Sequence, residues 1–310
     1  MYAQGDRMSA IDASEWLISQ TSTKNLNGSS ISKLKRPQQL LLTRKTPITM
    51  SFLSGKGGVG KTTMAIKFAQ ILAQTGKRVL LLDFDYNLSN TRVKLKIKAG
   101  ADDKFLKYMR GELQLNQIIY KTKSFDLISG CHASPEILDS QEAIELRIFD
   151  LLHEAERYYD AILIDCPAGI AREVLSVSAY CDSRIVVVNP EVASMTDAYG
   201  VIKILNQEYG VKQNHVLVNR VQNNKQYIKV VKGLGETAEK FLGARLHFLG
   251  KVEHFACDLD YFDEKFILEE NNDQHIKLSH IVNKFVEEKD DSLLGGMVQP
   301  SPRDRMSATI

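Results

Sequence analysis

Cysteine is scarce here and never paired in sequence: Cys131, Cys166, Cys181 and Cys257 are the only four in 310 residues. No two of them form C-x-x-C, which excludes a zinc ribbon and points to free thiols in a reducing compartment. An excess of one charge is also missing. With a net charge of +2 and 25% charged residues, the chain has no global polybasic signature. Contact with nucleic acid or anionic lipid therefore needs a local patch. No apolar run approaches the roughly 20 residues of a membrane span. The polar N-terminus does not read as a secretory leader, so a cytoplasmic protein is expected. Tryptophan occurs once, as Trp16, outside the stretch that reads as core. What remains is an ordinary globular composition, 44% hydrophobic.

Against that background one stretch stands out, Ser54-Gly55-Lys56-Gly57-Gly58-Val59-Gly60-Lys61-Thr62-Thr63. Gly55 through Thr62 fit G-x-x-x-x-G-K-[ST], the P-loop pattern. Ile48 to Leu53 upstream reads as a short buried strand. Ala65, Ile66, Phe68, Ala69, Ile71 and Leu72 downstream form a helical apolar stripe. Glycines at such a turn let backbone N–H groups converge on phosphate oxygens at the positive end of a helix. The loop from Gly55 through Gly57, Gly58, Val59 and Gly60 to Thr63 is thus expected to cradle a nucleoside triphosphate. Lys61 would reach the β- and γ-phosphates, and the Thr62 hydroxyl would ligate Mg²⁺.

Two acidic strand tips follow. Val79 to Asp85 is an apolar run ending in Asp83 and Asp85, which on an extended chain project to one side. One could face the Mg²⁺ shell while the other orients a water. Tyr159 to Gly169 is a hydrophobic strand delivering Asp165, with Pro167 and Gly169 to turn the chain away. Asp165 occupies the position of a Mg²⁺-holding carboxylate. Further strands are expected at Phe125–Gly130, Arg184–Glu191, His215–Arg220 and Phe248–Val252, and helices at Ala143–Tyr158 and Ser194–Leu205. Arg92 to Lys98 alternates cation and apolar residue, which reads as a lysine-blunted edge strand or a surface patch. A terminal helix is expected from Ile276 to Val286.

These elements predict one doubly wound α/β domain, a mainly parallel sheet with helices on both faces, over residues 47–286. Residues 1–46 read as an N-terminal extension with a short amphipathic helix and a linker. Residues 287–310 read as a disordered tail. Leu293 to Val298 is apolar but short, with an acidic flank, which leaves peripheral contact with the inner membrane an open alternative.

The motif K-G-G-V-G-K-T-T resembles the deviant Walker A of the MinD/ParA superfamily of P-loop NTPases, in the SIMIBI class. Asp165 to Gly169 resembles its switch II. The resemblance implies ATP and Mg²⁺ as ligands and an ATP-bound homodimer in which Lys56 reaches the partner's phosphates. It implies catalytic roles for Lys56, Lys61 and Asp85, the last as the switch I aspartate that positions water. Asp83 then sits on the metal side with Thr62 and Asp165. Asn219, with Arg220 beside it, becomes the adenine reader. Cys166 stands where the superfamily commonly has threonine, and reads as a small buried hydrophobe. Within the superfamily the chain is similar to the FlhG (FleN) family, which controls flagellar number and placement. That implies a flagellar GTPase (FlhF-like) or flagellar regulator as partner. Of the family's D-Q-A-x-x-L-R activating element only Asp12 and Leu17 fit, while Ala13, Ser14 and Ile18 depart. The competing expectation is a ParA-type partitioning ATPase that binds DNA nonspecifically through a patch such as Lys94, Lys96 and Lys98.

Overall fold

The computed structural model describes residues 47–85, 90–97, 104–130 and 141–294. The N-terminal extension with Trp16, the residue Lys98 and the tail beyond Leu294 lie outside the described residues. An eight-stranded sheet runs in the order β3-β4-β2-β5-β1-β6-β7-β8. Its strands are β1 (Ile48–Leu53), β2 (Val79–Asp83), β3 (Tyr120–Lys121), β4 (Asp126–Ser129), β5 (Ala161–Asp165), β6 (Ser183–Val188), β7 (Gln213–Val221) and β8 (Arg245–Glu253). Every pairing is parallel except β3 with β4, a two-residue antiparallel edge. This is the doubly wound architecture the sequence predicts.

Continuous apolar strands arise because both faces of the sheet are covered. Side chains alternate between the faces: Leu80, Leu82, Ile162, Ile164, Val186 and Val188 enter one core, Leu81, Leu163, Ile185 and Val187 the other. Helix α1 (Lys61–Gln74) lies on the second face and is buried along most of its length. Along the chain follow α2 (Thr91–Lys94), α3 (Lys104–Met109), α4 (Leu115–Ile118), α5 (Gln141–Ala155), α6 (Arg172–Tyr180), α7 (Val192–Tyr209) and α8 (Asn224–Leu242). Ile148, Leu151, Leu152 and Ala155 of α5 are fully buried, the stripe expected of that helix.

Strand β1 sits between β5 and β6, so the chain winds out to one side through β2 and β4 and returns through β5 to build the other. Ligands in such sheets bind beyond the carboxyl ends of strands at this reversal. Loop Ser54–Gly60, Asp83 and Asp165 all lie at that edge.

Two elements differ from expectation. Arg92–Lys94 is helical, part of α2, and not an edge strand. The chain leaves α2 through two bonds, Lys96 N–H to Val93 O and Ile97 N–H to Arg92 O, both 3.0 Å. Lys96 has φ 52°, a left-handed turn where glycine is usual. Local closure, not sheet pairing, therefore satisfies this backbone. Secondly, the C-terminal helix α10 (Asp273–Leu294) continues past Val286 into the segment read as tail. It is preceded by a short helix α9 (Leu259–Phe262) and a single π turn, Asp263–Leu268. Among the described residues no helix is long and apolar enough to cross a membrane.

Helix α8 escapes the hydrophobic pattern because only Val230, Leu234 and Ala238 are buried. Its interior glycines cost helix propensity, about 0.5–1 kcal/mol each. Close packing explains them. A Cβ on Gly233 would lie 2.9 Å from Met195 Cε, and one on Gly235 3.3 Å from the Phe248 ring.

Candidate phosphate-binding site at the carboxyl edge

The loop between β1 and α1 is fixed by what packs around two glycines. A Cβ on Gly55 would sit 2.3 Å from the Asp197 carbonyl oxygen of α7, so only glycine fits. Gly60 has φ 94°, and a Cβ there would meet Asn219 Nδ2 at 2.3 Å. Gly58 is also left-handed, at φ 77°, whereas Gly57 faces open space. Gly60 is the N-cap of α1 and no side chain caps the first turn. Those N–H groups, with the helix dipole behind them, are suited to an anion. Val59 and Thr63 are buried, Thr62 is half-buried, and Lys56 is exposed on the rim.

Lys61 Nζ donates to Asp165 Oδ1 at 2.7 Å, and both side chains are buried, 9% and 1% exposed. Burial alone would lower the Lys61 pKa, but Asp165 outweighs it and holds the amine above its ordinary value. The lysine is thus a charged group in the floor of the site. Asp83 is the register neighbour of Asp165 across β2 and β5, and is 1% exposed. Parallel pairing brings the two carboxylates together although 82 positions separate them in the chain. Asp83 Oδ1 accepts the Asp85 N–H at 3.1 Å and Oδ2 the Thr91 N–H at 3.3 Å.

That arrangement corrects the extended-chain reading of Asp83 and Asp85. Strand β2 ends at Asp83, and half-buried Asp85 follows it in the turn that the Asp83 carboxylate caps. Of the two acids only Asp83 belongs to the strand. Asn219 is buried at the end of β7. Its Nδ2 donates to Val59 O at 2.8 Å and its Oδ1 accepts the Arg220 N–H at 2.9 Å. Arg220, at φ 57°, is exposed. Asn219 thus holds the phosphate loop to the sheet, a role the sequence reading did not assign. Lys56 Nζ lies 3.5 Å from Glu191 Oε2, a solvent-facing pair.

Cys166 is fully buried, and burial pushes its thiol up to about 12. It is a core group beside Ser178 and not a nucleophile. Sequence reasoning missed Asp197 and Glu191. Asp197 could have been found only from its packing against Gly55, which the sequence does not display.

Lys61, Asp83 and Asp165 converge beneath one loop, and half-buried Thr62 follows Lys61 in the chain. Among the described residues no group of three or more His, Cys, Asp and Glu could hold a metal alone. One or two carboxylates plus a hydroxyl suit Mg²⁺, which keeps water and substrate phosphates in its shell. Loop, sheet and acids together define a P-loop nucleotide-binding protein of the doubly wound type.

Comparison with known proteins narrows the class. A family model described as an AAA domain matches residues 48–221, from β1 to the end of β7 and more than half of the chain. Over 171 residues the chain is 32% identical to the septum site-determining protein MinD of Bacillus subtilis, covering 55% of this chain and 64% of the relative. It thus spans just under two thirds of that relative's length. It is 28% identical over 207 residues to the antiactivator FleN of Pseudomonas aeruginosa, covering 64% of this chain and 71% of FleN. The chain belongs to the AAA domain family. Among solved structures, the MinC:MinD cell division complex of Aquifex aeolicus matches with TM-score 0.60 and 26% identity, over 77% of this chain and 96% of that one. MinD of Pyrococcus horikoshii, complexed with Mg-ADP, matches in fold with TM-score 0.59 and 22% identity, over 82% and 99%.

Proposed function

We propose that this protein is a Mg²⁺-dependent ATPase that alternates between a monomer and an ATP-bound homodimer to regulate flagellar number or placement. The observation that carries the reading is the buried Lys61–Asp165 pair beneath the uncapped first turn of α1. A triphosphate laid along Gly55–Thr63 competes for Lys61, which turns from Asp165 to the β- and γ-oxygens. Asp165, Asp83 and the Thr62 hydroxyl would hold a Mg²⁺ ion. When bound, that ion would supply neutralisation of the phosphate charge. Asp85, at the mouth of the turn, orients the attacking water. Lys56 leaves Glu191 for the phosphates of the second subunit, where an additional cation stabilises charge developing on the transferred group. Asn219 and Arg220 border the base.

The flagellar role draws on the likeness to FleN, and a flagellar GTPase or regulator is the partner class it favours. The DNA-partitioning alternative has less support, because Lys94 and Lys96 are engaged in ion pairs with Asp263 and Glu264. The testing variant is Asp85→Ala. Steady-state ATP hydrolysis is expected to fall roughly 10²-fold while equilibrium binding of ATP stays within about threefold of wild type, since Asp85 is assigned no binding contact. Unchanged hydrolysis would remove Asp85 from the mechanism.

A further inference from the structure

The segment joining the π turn to α10 touches both the P-loop helix and the chain that follows Asp85. On the α1 side the contact is rigid. Lys67 is completely buried, and its ammonium has three acceptors: Ile267 O at 3.0 Å, Glu269 O at 3.1 Å and His275 Nδ1 at 3.3 Å. An ammonium has three N–H donors, so each is matched. Gln70 Nε2 adds a second bond to Ile267 O at 3.0 Å. Gln74 grips the start of α10, with Oε1 3.0 Å from His275 Nε2, and Nε2 donates to Glu270 at 3.0 Å. Phe266 packs beneath, 5.7 Å from Lys67 Nζ and stacked on Phe262.

On the α2 side the contact is electrostatic and adjustable. Lys94 Nζ meets Asp263 Oδ1 and Lys96 Nζ meets Glu264 Oε2, each at 3.0 Å. Asp263 and Glu264 open the π turn, a local geometry that recurs at functional sites. Lys96 is held at φ 52°, an unfavourable angle for a side chain with a Cβ, and from there its amine reaches Glu264. Helix α2 itself hangs from the site, because the N–H of its first residue, Thr91, is bound by Asp83 Oδ2. Asp83 is the buried carboxylate assigned above to the metal side.

We propose that residues 263–275 are a relay between the nucleotide site and the C-terminal helix α10, with Lys94 and Lys96 as its input contacts. Recruitment of Asp83 to a metal shell changes its hold on Thr91, α2 shifts, and the two ion pairs transmit that shift to the π turn. Lys67, Gln70 and Gln74 tie Ile267, Glu269 and His275 to α1, so a shifted π turn strains those bonds and changes the protection of the segment that leads into α10. The relay rests on the nucleotide reading of the site, and it is an equilibrium bias between two arrangements, not a rigid rod.

Hydrogen exchange of the full chain, with and without Mg-ATP, tests it alongside a separate titration of ATP affinity. In wild type, amides between Ile267 and Val282 are expected to change exchange rate at least about threefold on Mg-ATP. In the Lys94→Ala/Lys96→Gly variant that response is expected to vanish, with ATP affinity within about threefold of wild type. Glycine suits the left-handed angle at Lys96, so this variant adds no backbone strain. The charge swap Lys94→Asp with Asp263→Lys is expected to restore the response. A response that persists without the lysines overturns the relay. So does wild type that binds ATP without any change in these amides. Wild type that binds no ATP overturns the nucleotide reading instead, and the relay with it.

Discussion

Lys61→Ala is expected to cost about 3–5 kcal/mol of stability and to abolish measurable ATP binding. The first effect has nothing to do with nucleotide. Asp165 is 1% exposed, and among the described residues its side chain pairs with the Lys61 ammonium at 2.7 Å. Its register neighbour across the sheet is Asp83, a second buried carboxylate. Removing the cation leaves two acids side by side in low dielectric, the arrangement that costs most when uncompensated. The second effect follows from losing the charge that meets the phosphates. The two separate in Lys61→Ala/Asp165→Asn, which removes the stranded charge. Urea unfolding is expected to recover most of the lost stability in the double variant, with ATP binding still absent. A single variant that unfolds within about 0.5 kcal/mol of wild type would show the pair contributes little.

Gly55→Ala is expected to have the second largest effect, a loss of about 2–4 kcal/mol and collapse of the phosphate loop. The added methyl would lie 2.3 Å from the Asp197 carbonyl oxygen, well inside van der Waals contact. Backbone cannot swing aside as a side-chain tip can, so either the loop or the start of α7 must move. Gly57→Ala is the matched control, since nothing lies within 4 Å of the new methyl. Its unfolding midpoint is expected to stay at the wild-type value. If both alanines destabilise equally, the loop is not held against α7 as described.

The central strands and the phosphate loop were legible because local and global signals agree there. β2 and β5 are buried on both faces, and up to their terminal Asp83 and Asp165 their sequences are unbroken apolar runs. The Gly55–Thr62 pattern names its own chemistry. Legibility ended where a residue's reason lies in another element. Gly233 and Gly235 weaken the helical signal of α8, and only Met195 and Phe248 explain them. The alternation in Arg92–Lys98 imitated a strand, yet the first turn of that stretch is short-range helix closed by Lys96. Asn219 was assigned to the base by resemblance, while its bond to Val59 shows what it does for the loop itself. Asp85 was placed with Asp83 by strand geometry that stops two residues before it.

The account turns on ATP joining two copies of this chain through Lys56. Sedimentation velocity of wild type and Lys56→Ala, each with ATP and with ADP, tests that most directly. Wild type is expected to sediment as a dimer with ATP and a monomer with ADP, and Lys56→Ala as a monomer with both. Wild type that remains monomeric with ATP bound would contradict the switch and leave only the nucleotide site standing.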